Sequence, residues 1–413
     1  MADIILFFLS RVSIGPCSAK VKHVVFLKVH KAASTTVASI FQRFGWKHNL
    51  TFVLPTHYRD YIGWPYYMKP QDILPSPTGS YNILCDHVVY DDRILSTLMP
   101  DDTFSIAILR EPLSHLKSVF HWWHLDQKYN VSSHTGSDVI TSFLDNPMFY
   151  ETRLSSNVET LRPFIYTRNF QSYDFGFPVH LSDHENFVQE FLEAVKTQFH
   201  LVMIMEYFDE SLVLLKRLLC WELVDILYLG LQRSRTYSYK TTKVSRETVD
   251  KHQQWSKVDY NMYDYFNKSL WKMIQNEEQR SFYSEVRHFE NVLLEVQQYC
   301  SVLPKGYMQS LKPVPKKIIP ASEWNDVINL DELFCLELRM GWDDWEYVIK
   351  SSHLGELRRQ SSFKFDISFV QVPRPTSVMS RILRKRFQVK GPKLVCENRS
   401  TYCTLDKRAL NKV

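Results

Sequence analysis

No stretch of this chain is apolar for long enough to cross a bilayer, which takes about 20 consecutive residues. The nearest approach is residues 4–9, six apolar residues near the N-terminus. No positively charged segment precedes them, as a secretory leader would have. Residues 1–21 are therefore expected to form a short segment without a full membrane span. The chain reads as soluble, or as one whose anchor has been lost. No C-x-x-C occurs, and the seven cysteines (Cys17, Cys85, Cys220, Cys300, Cys335, Cys396, Cys403) are too scattered for a zinc module. No long basic block flanked by aromatics is present, so nucleic acid is not an expected partner. No repeat of fixed period appears.

What is present is ample material for a core. The chain has 413 residues, 45% of them hydrophobic and 23% charged, enough for one large globular domain or one domain with an appendage. The net charge of +5 suits an anionic ligand better than a duplex nucleic acid. Cys396 and Cys403 close a short loop and are a candidate pair. An odd count leaves at least one free thiol if all the others pair. N-x-S/T sequons stand at Asn49, Asn130, Asn267 and Asn398, against about two expected by chance from ordinary usage, which tilts towards a secretory lumen.

Residues 24–29 are mostly β-branched or aromatic and predict a buried strand. Residues 32–44 then show helical spacing, with Val37, Ile40, Phe41 and Phe44 on one face, and Gly45 is expected to stop that helix. Strand, short loop and helix open an α/β unit. Residues 49–79 carry five prolines and many aromatics and read as irregular surface. A second strand is expected at 83–85. A third, at 104–109, runs into Arg110-Glu111-Pro112 and a helix whose first turn suits the proline. Residues 185–220 and 268–300 read as helical. A proline-rich linker follows from 301, with a short helical piece at 330–350. The tail, including the basic run at 381–386, looks peripheral; that run reads as a solvated face or a contact for anionic lipid.

A strand, a loop and a helix N-terminus make a ready anion site, because backbone N–H groups point outward with the helix dipole behind them. A nucleotide-binding P-loop would need G-x-x-x-x-G-K-[ST], and "KVHKAASTT" (residues 28–36) has no glycine. The ligand expected is anionic, but an ATPase or a P-loop kinase is not. Lys31 can reach a bridging oxygen, and Ser34, Thr35 and Thr36 add hydroxyls. In the second unit Arg110 ends a strand, where a guanidinium can fork a phosphate, and Ser118 lies about two turns along the following helix. Two anion sites on one parallel sheet imply a ligand with two phosphate-like ends.

"FLKVHKAASTT" resembles the 5′-phosphosulfate loop, and "ILREPLSHLKSVF" the 3′-phosphate motif, of sulfotransferases that use 3′-phosphoadenosine 5′-phosphosulfate (PAPS). The wording is most similar to the galactose-3-O-sulfotransferases. "NILCDHVVYD", "YTRNFQSYDFGF" (166–177), "LLCW" and "YDYFNKSLW" agree, and "NLDELFCLELRM" (329–340) agrees more loosely. The resemblance implies an α/β, P-loop-like sulfotransferase fold with a central parallel sheet flanked by helices. To that is added a mainly helical C-terminal part. The sulfotransferase domain would run over 22–300, with linker, helical extension and basic tail over 301–413. It implies PAPS as donor and no metal. Lys31 would neutralise the oxygen bridging phosphate and sulfate; Ala32, Ala33, Ser34, Thr35 and Thr36 would hold the 5′ end, and Arg110 and Ser118 the 3′-phosphate. The acceptor would be a terminal β-galactose on a glycolipid such as a galactosylceramide, or on a glycan. The family's setting is the lumenal face of the Golgi membrane. Two alternatives stand beside this: the same chemistry on another carbohydrate such as a glycosaminoglycan, or an inactive carbohydrate- or nucleotide-binding relative.

Sulfuryl transfer, like phosphoryl transfer, rests on positioning and on neutralising the leaving group. Lys31, the helix N-terminus and Lys28 would supply that field. The acceptor hydroxyl needs a base, and two histidines lie near the cofactor strands: His87, placed ahead, and His30. Asp86 reads as an orienter or a surface residue. Trp122 and Trp123 read as core packing or as platforms for a ring. Tyr173, Asp174 and Phe175 are, by resemblance, candidates to line the galactose pocket.

Overall fold

In a computed structural model, residues 17–405 are described, apart from 18, 58, 132–137, 156–161, 231–239, 303–314, 361–369, 374–393 and 396–401. The N-terminal apolar run, most of the proline-rich linker, the basic run at 381–386, Asn398 and Cys396 fall outside them, so the Cys396–Cys403 pairing does too. Cys403 itself is disulfide-bonded.

Four parallel strands form the central sheet: β1 (Val24–Leu27), β2 (Ile83–Leu84), β3 (Phe104–Leu109) and β4 (Leu201–Ile204), in the order β2-β1-β3-β4. Val24 faces Ile83 on one side and Phe104 on the other, and Ile106 faces Leu201. Every residue of β1 and β4 is buried, as expected of parallel strands covered by helices on both faces. From β1 the chain passes through α1 (Ser34–Lys47) to β2 on one side. From β3 it passes through α2 (Pro112–Trp123) to β4 on the other. The connections diverge between β1 and β3, which is where a parallel sheet leaves a crevice beyond its strand ends.

Several expectations change. The stretch 185–220 is not one helix; β4 interrupts it between Glu185–Gln198 and Phe208–Leu219. A four-residue apolar strand between two amphipathic helices has no periodicity of its own to betray it. Residues 49–79 are irregular but not surface: Phe52, Val53, Leu54, Ile62 and Leu74 are buried. The C-terminal segment that covers them is not peripheral, since Val370 and Val372 are fully buried and Gln371 N–H donates to Thr56 O at 3.0 Å.

Gly45 does not stop its helix, which runs on to Lys47. It is there for closeness: a Cβ would stand 2.3 Å from Phe52 Cζ and 2.7 Å from Ile83 Cδ1. Gly45→Ala is expected to destabilise despite the gain of about 1 kcal/mol in helix propensity, because overpacking costs about 1–3 kcal/mol. Urea unfolding checks this; a midpoint at or above that of the parent would refute it.

Two disulfides are described, Cys17–Cys220 and Cys300–Cys335, with Cys85 a buried free thiol. The second joins the last turn of α3 (Gln279–Ser301) to α4 (Glu332–Arg339), which leads into α5 (Trp342–Arg359). That last helix packs on α1 and holds the irregular segment from above. Lys350 Nζ donates to His57 O at 3.0 Å and His353 Nε2 to Pro75 O at 2.8 Å.

Candidate functional site

The loop after β1 makes its turn without glycine. Lys31 and Ala33 both sit in the left-handed region, at φ 55° and 63°, a conformation that costs a non-glycine residue about 1–3 kcal/mol. Ser34 Oγ donates to Val29 O at 2.6 Å, closing the loop on itself. Its hydroxyl hydrogen is therefore occupied structurally. Ala33, the residue capping α1, gives the helix no side-chain acceptor; Thr36 N–H donates back to Ala33 O at 3.1 Å, and the N–H groups of Ser34 and Thr35 stand at the start of a 14-residue helix. Ala32 is buried; Thr35 and Thr36 are half-buried. Lys31 Nζ lies 3.7 Å over the ring of Trp122, which is half-exposed.

Arg110 follows directly on β3, across the crevice. Its Nη1 donates to Lys31 O at 3.2 Å, tying the two strand ends together. Its backbone is clamped by Gln171, whose side chain accepts from Arg110 N–H and donates to Arg110 O, both at 2.9 Å. Arg110 Nε is buried with no protein acceptor. A buried guanidinium N–H without a partner costs free energy unless a ligand oxygen takes it. Ser118 is half-buried on α2, and no hydrogen bond joins it to Arg110 among the described residues.

His30 stands within the loop and is almost enclosed. Its backbone N–H donates to Asp174 Oδ2 at 2.7 Å, and its Nδ1 lies 2.9–3.0 Å from both carboxylate oxygens. A carboxylate can only accept, so Nδ1 carries the hydrogen, and in the neutral ring Nε2 holds the lone pair. Asp174 is fully buried and also accepts from Trp64 Nε1 at 3.1 Å. His115 Nε2 donates to His30 O at 2.9 Å, and burial pushes that imidazole far below its usual range. His30 is thus fixed from three sides.

His87 stacks on His30 with ring centres 3.8 Å apart and planes 13° from parallel. Its Nδ1 donates to Lys28 O, and its Nε2 is 3.7 Å from Asp60 Oδ2. Burial, with His30 and Lys28 beside it, holds it well below the ordinary histidine range. It is a neutral ring at pH 7. Lys28 is buried, with its ammonium 3.4 Å from the half-exposed Asp60 and 5.9 Å from the ring of Trp342. Asp86 is buried, not on the surface.

The structure therefore brings together Lys28, His30, Lys31, the 32–36 turn, His87 and Arg110 beyond the C-terminal ends of the parallel strands, with Ser118 further along α2. Of the 173–175 trio, Asp174 lies behind His30, Phe175 is in the core, and Tyr173 donates to Pro65 O. Trp123 is half-buried, with its ring 6.2 Å from that of His30. Asp60, Trp64, His115, Gln171 and Trp342 were not foreseen. Gln171 and Asp174 sit in a stretch the sequence did single out, but their partners are far away along the chain.

A four-stranded parallel sheet with helices on its faces, and an anion-ready turn at its switch point, is an α/β sulfotransferase-like fold. The chain belongs to the galactose-3-O-sulfotransferase family, whose model matches residues 6–306. It is similar to galactosylceramide sulfotransferase of Homo sapiens, 34% identical over 267 residues, 64% of this chain and 60% of that one. It is similar also to galactose-3-O-sulfotransferase 2 of Homo sapiens, 34% identical over 262 residues (62% of each), and of Sus scrofa, 32% over 285 residues (68% and 69%). The chain spans about 60% of the length of the first of these relatives.

Proposed function

We propose that this chain is a PAPS-dependent sulfotransferase that places sulfate on the 3-hydroxyl of a terminal β-galactose, on a glycolipid of the galactosylceramide kind or on a glycan. Its family membership supports the reaction class, and one observation carries the mechanism: His30, held by the buried Asp174, sits inside the anion-binding turn itself.

The residues present fit the donor. The unpartnered Arg110 Nε calls for an oxyanion, and the first-turn N–H groups of α1 suit a second. Arg110, with Ser118, would hold the 3′-phosphate; Lys31, Ala32, Ala33, Ser34, Thr35 and Thr36 would hold the 5′ end. PAPS supplies a sulfuryl group on a bridging oxygen that becomes negative as its bond to sulfur breaks. Lys31 and the helix N-terminus neutralise that charge. His30 Nε2 takes the proton from the acceptor hydroxyl while Asp174 steadies the imidazolium that forms, the division of labour of any histidine–carboxylate pair. His87, neutral and bound through Nδ1 to a carbonyl, orients its neighbour, which reverses the ranking of the two histidines that sequence suggested. No metal is assigned a role.

Two disulfides suit an oxidising compartment, and the sequon residues Asn49 and Asn130 are exposed. Both support a lumenal setting; the Golgi and the membrane association come from the family resemblance alone. No helix among the described residues is long and apolar enough to cross a membrane.

The test is transfer of radiolabelled sulfate from PAPS to galactosylceramide and to lactose-type acceptors by the purified chain, beside Lys31→Ala. Label on the galactose 3-position, lost in the control, is the expected result. PAPS binding without transfer to any galactoside would sink the galactose assignment.

A further inference from the structure

The family match ends at residue 306, and no residue beyond 300 was expected to take part in the chemistry. Yet α5 reaches the back of the site. Trp342 Nε1 donates to Asp86 Oδ1 at 3.1 Å while its ring faces Lys28. One turn on, Glu346 lies 3.3 Å from Lys350 Nζ, an ion contact short of an aligned hydrogen bond. Lys28, Asp86, Glu346 and Lys350 are each at most 3% exposed. Two amino groups and two carboxyl groups are thus out of water in one cluster, an arrangement that apolar residues of the same size would often better for stability alone. Lys28 is also where the site begins. Its carbonyl holds His87 Nδ1, His87 stacks on His30, and Lys31 follows in the same turn.

We propose that Trp342 is a positioning residue of the sulfuryl-transfer site, acting through Asp86 to hold Lys28 and with it the His87 ring, so that residues 342–359 belong to the catalytic unit. The Cys300–Cys335 disulfide, through α4, is the staple that keeps this helix in place.

The coupling is electrostatic. Burial pushes the Asp86 carboxyl up to about 6, while Lys28, the Trp342 N–H and Lys350 pull it down and Asp60 pushes it up. Glu346, on α5, is itself pushed up to about 8 by burial, with Lys350 opposing. The Cys85 thiol, which burial raises, feels the same carboxyl, and His87, next along the chain, is kept neutral by burial. Asp86 is thus ionised above about 6; as the pH falls through that value it gains a proton, and Lys28 loses that nearby negative charge and keeps only the half-exposed Asp60, 3.4 Å away. Deleting the indole N–H removes one of the influences holding the carboxyl down, so the loss begins at higher pH.

This inference rests on the sulfotransferase reading, and the test separates the two. In the full chain, Trp342→Phe keeps an aromatic ring and deletes the N–H. The acid limb of its kcat–pH profile is expected to move up by roughly one pH unit, the equivalent of one hydrogen bond to a charged group. Its KM for PAPS should stay within about twofold, since the contacts described for Trp342, to Asp86 and over Lys28, involve none of the groups assigned to donor binding. Asp86→Asn should abolish the shift, so that adding Trp342→Phe to it changes nothing further. A folded Trp342→Phe protein whose profile superimposes on the parent overturns the proposal. If Trp342→Phe does not fold, or if the parent transfers no sulfate to any galactoside and the sulfotransferase reading falls, the pairing is read from the ¹⁵N-labelled indole signals. One that titrates near pH 6 and ceases to do so in Asp86→Asn supports the Trp342–Asp86 pair; no such signal overturns it.

Discussion

Asp174→Asn is expected to lower kcat by about 10²–10⁴, the range a positioned general base contributes, with the KM for PAPS little changed. Three donors converge on this buried carboxylate: His30 N–H, His30 Nδ1–H and Trp64 Nε1–H. An amide offers one oxygen, so either orientation turns its NH2 towards one of those donors and leaves it unsatisfied, at about 1–3 kcal/mol. If the amide nitrogen faces Nδ1, the imidazole adopts the other tautomer and Nε2 carries a hydrogen where it must accept one. If the oxygen faces Nδ1, the tautomer survives but the imidazolium loses its counter-charge. His30→Ala should cost as much as Asp174→Asn within about tenfold, and the double variant little more, because the two act as one unit. Steady-state kinetics on both, with melting curves to establish folding, check this. Greater loss from His87→Ala than from His30→Ala would return the base to His87. Full kcat in a folded Asp174→Asn protein would remove the pair from the mechanism.

The local half of this site was legible because it is local. Lys28 to Thr36 and Arg110 lie where a continuous apolar run ends and a helix begins, and the third strand and its helix appear at the residues expected. The partners that give those groups their chemistry were not legible. Asp174 meets His30 across 144 positions, and Trp342 meets Asp86 across 256; no periodicity links residues so far apart. "YDFGF" carried a signal, but a carboxylate there reads equally as a sugar ligand or as a support, and only its complete burial decides. Gly45 misled for a related reason. A glycine after an amphipathic run signals a helix end unless something packs against it, and Phe52 arrives from the irregular segment. Trp342 was hidden by composition: a helix after a proline-rich stretch looks like an appendage until the buried charges beneath it are seen.

Lys31→Ala is expected to reduce kcat by about 10²–10³, the usual cost of deleting one donor aimed at developing charge. The free protein holds this ammonium over Trp122, an attraction of about 0.5–1 kcal/mol at an exposed ring. A phosphosulfate outbids that easily, so the resting contact is no obstacle to turnover. What Lys31 contributes depends on its backbone. At φ 55° its side chain leaves the turn in a direction an ordinary loop residue would not take, and that strain is tolerated because Ser34 and Arg110 pin the loop at Val29 and at Lys31 O. Two further variants separate charge from conformation. Lys31→Gly relieves the left-handed strain yet lacks the cation, and should be as slow as Lys31→Ala though more stable by about 1 kcal/mol. Lys31→Arg keeps a positive charge but spreads it over a planar fork, and should recover only part of the rate. Single-turnover transfer from PAPS, with donor binding measured separately by calorimetry, reads the difference. Lys31→Gly as fast as the parent would make the turn, not the ammonium, the source of catalysis. Loss of donor binding in Lys31→Ala with no loss of the chemical step would make Lys31 a holder of the ground state alone.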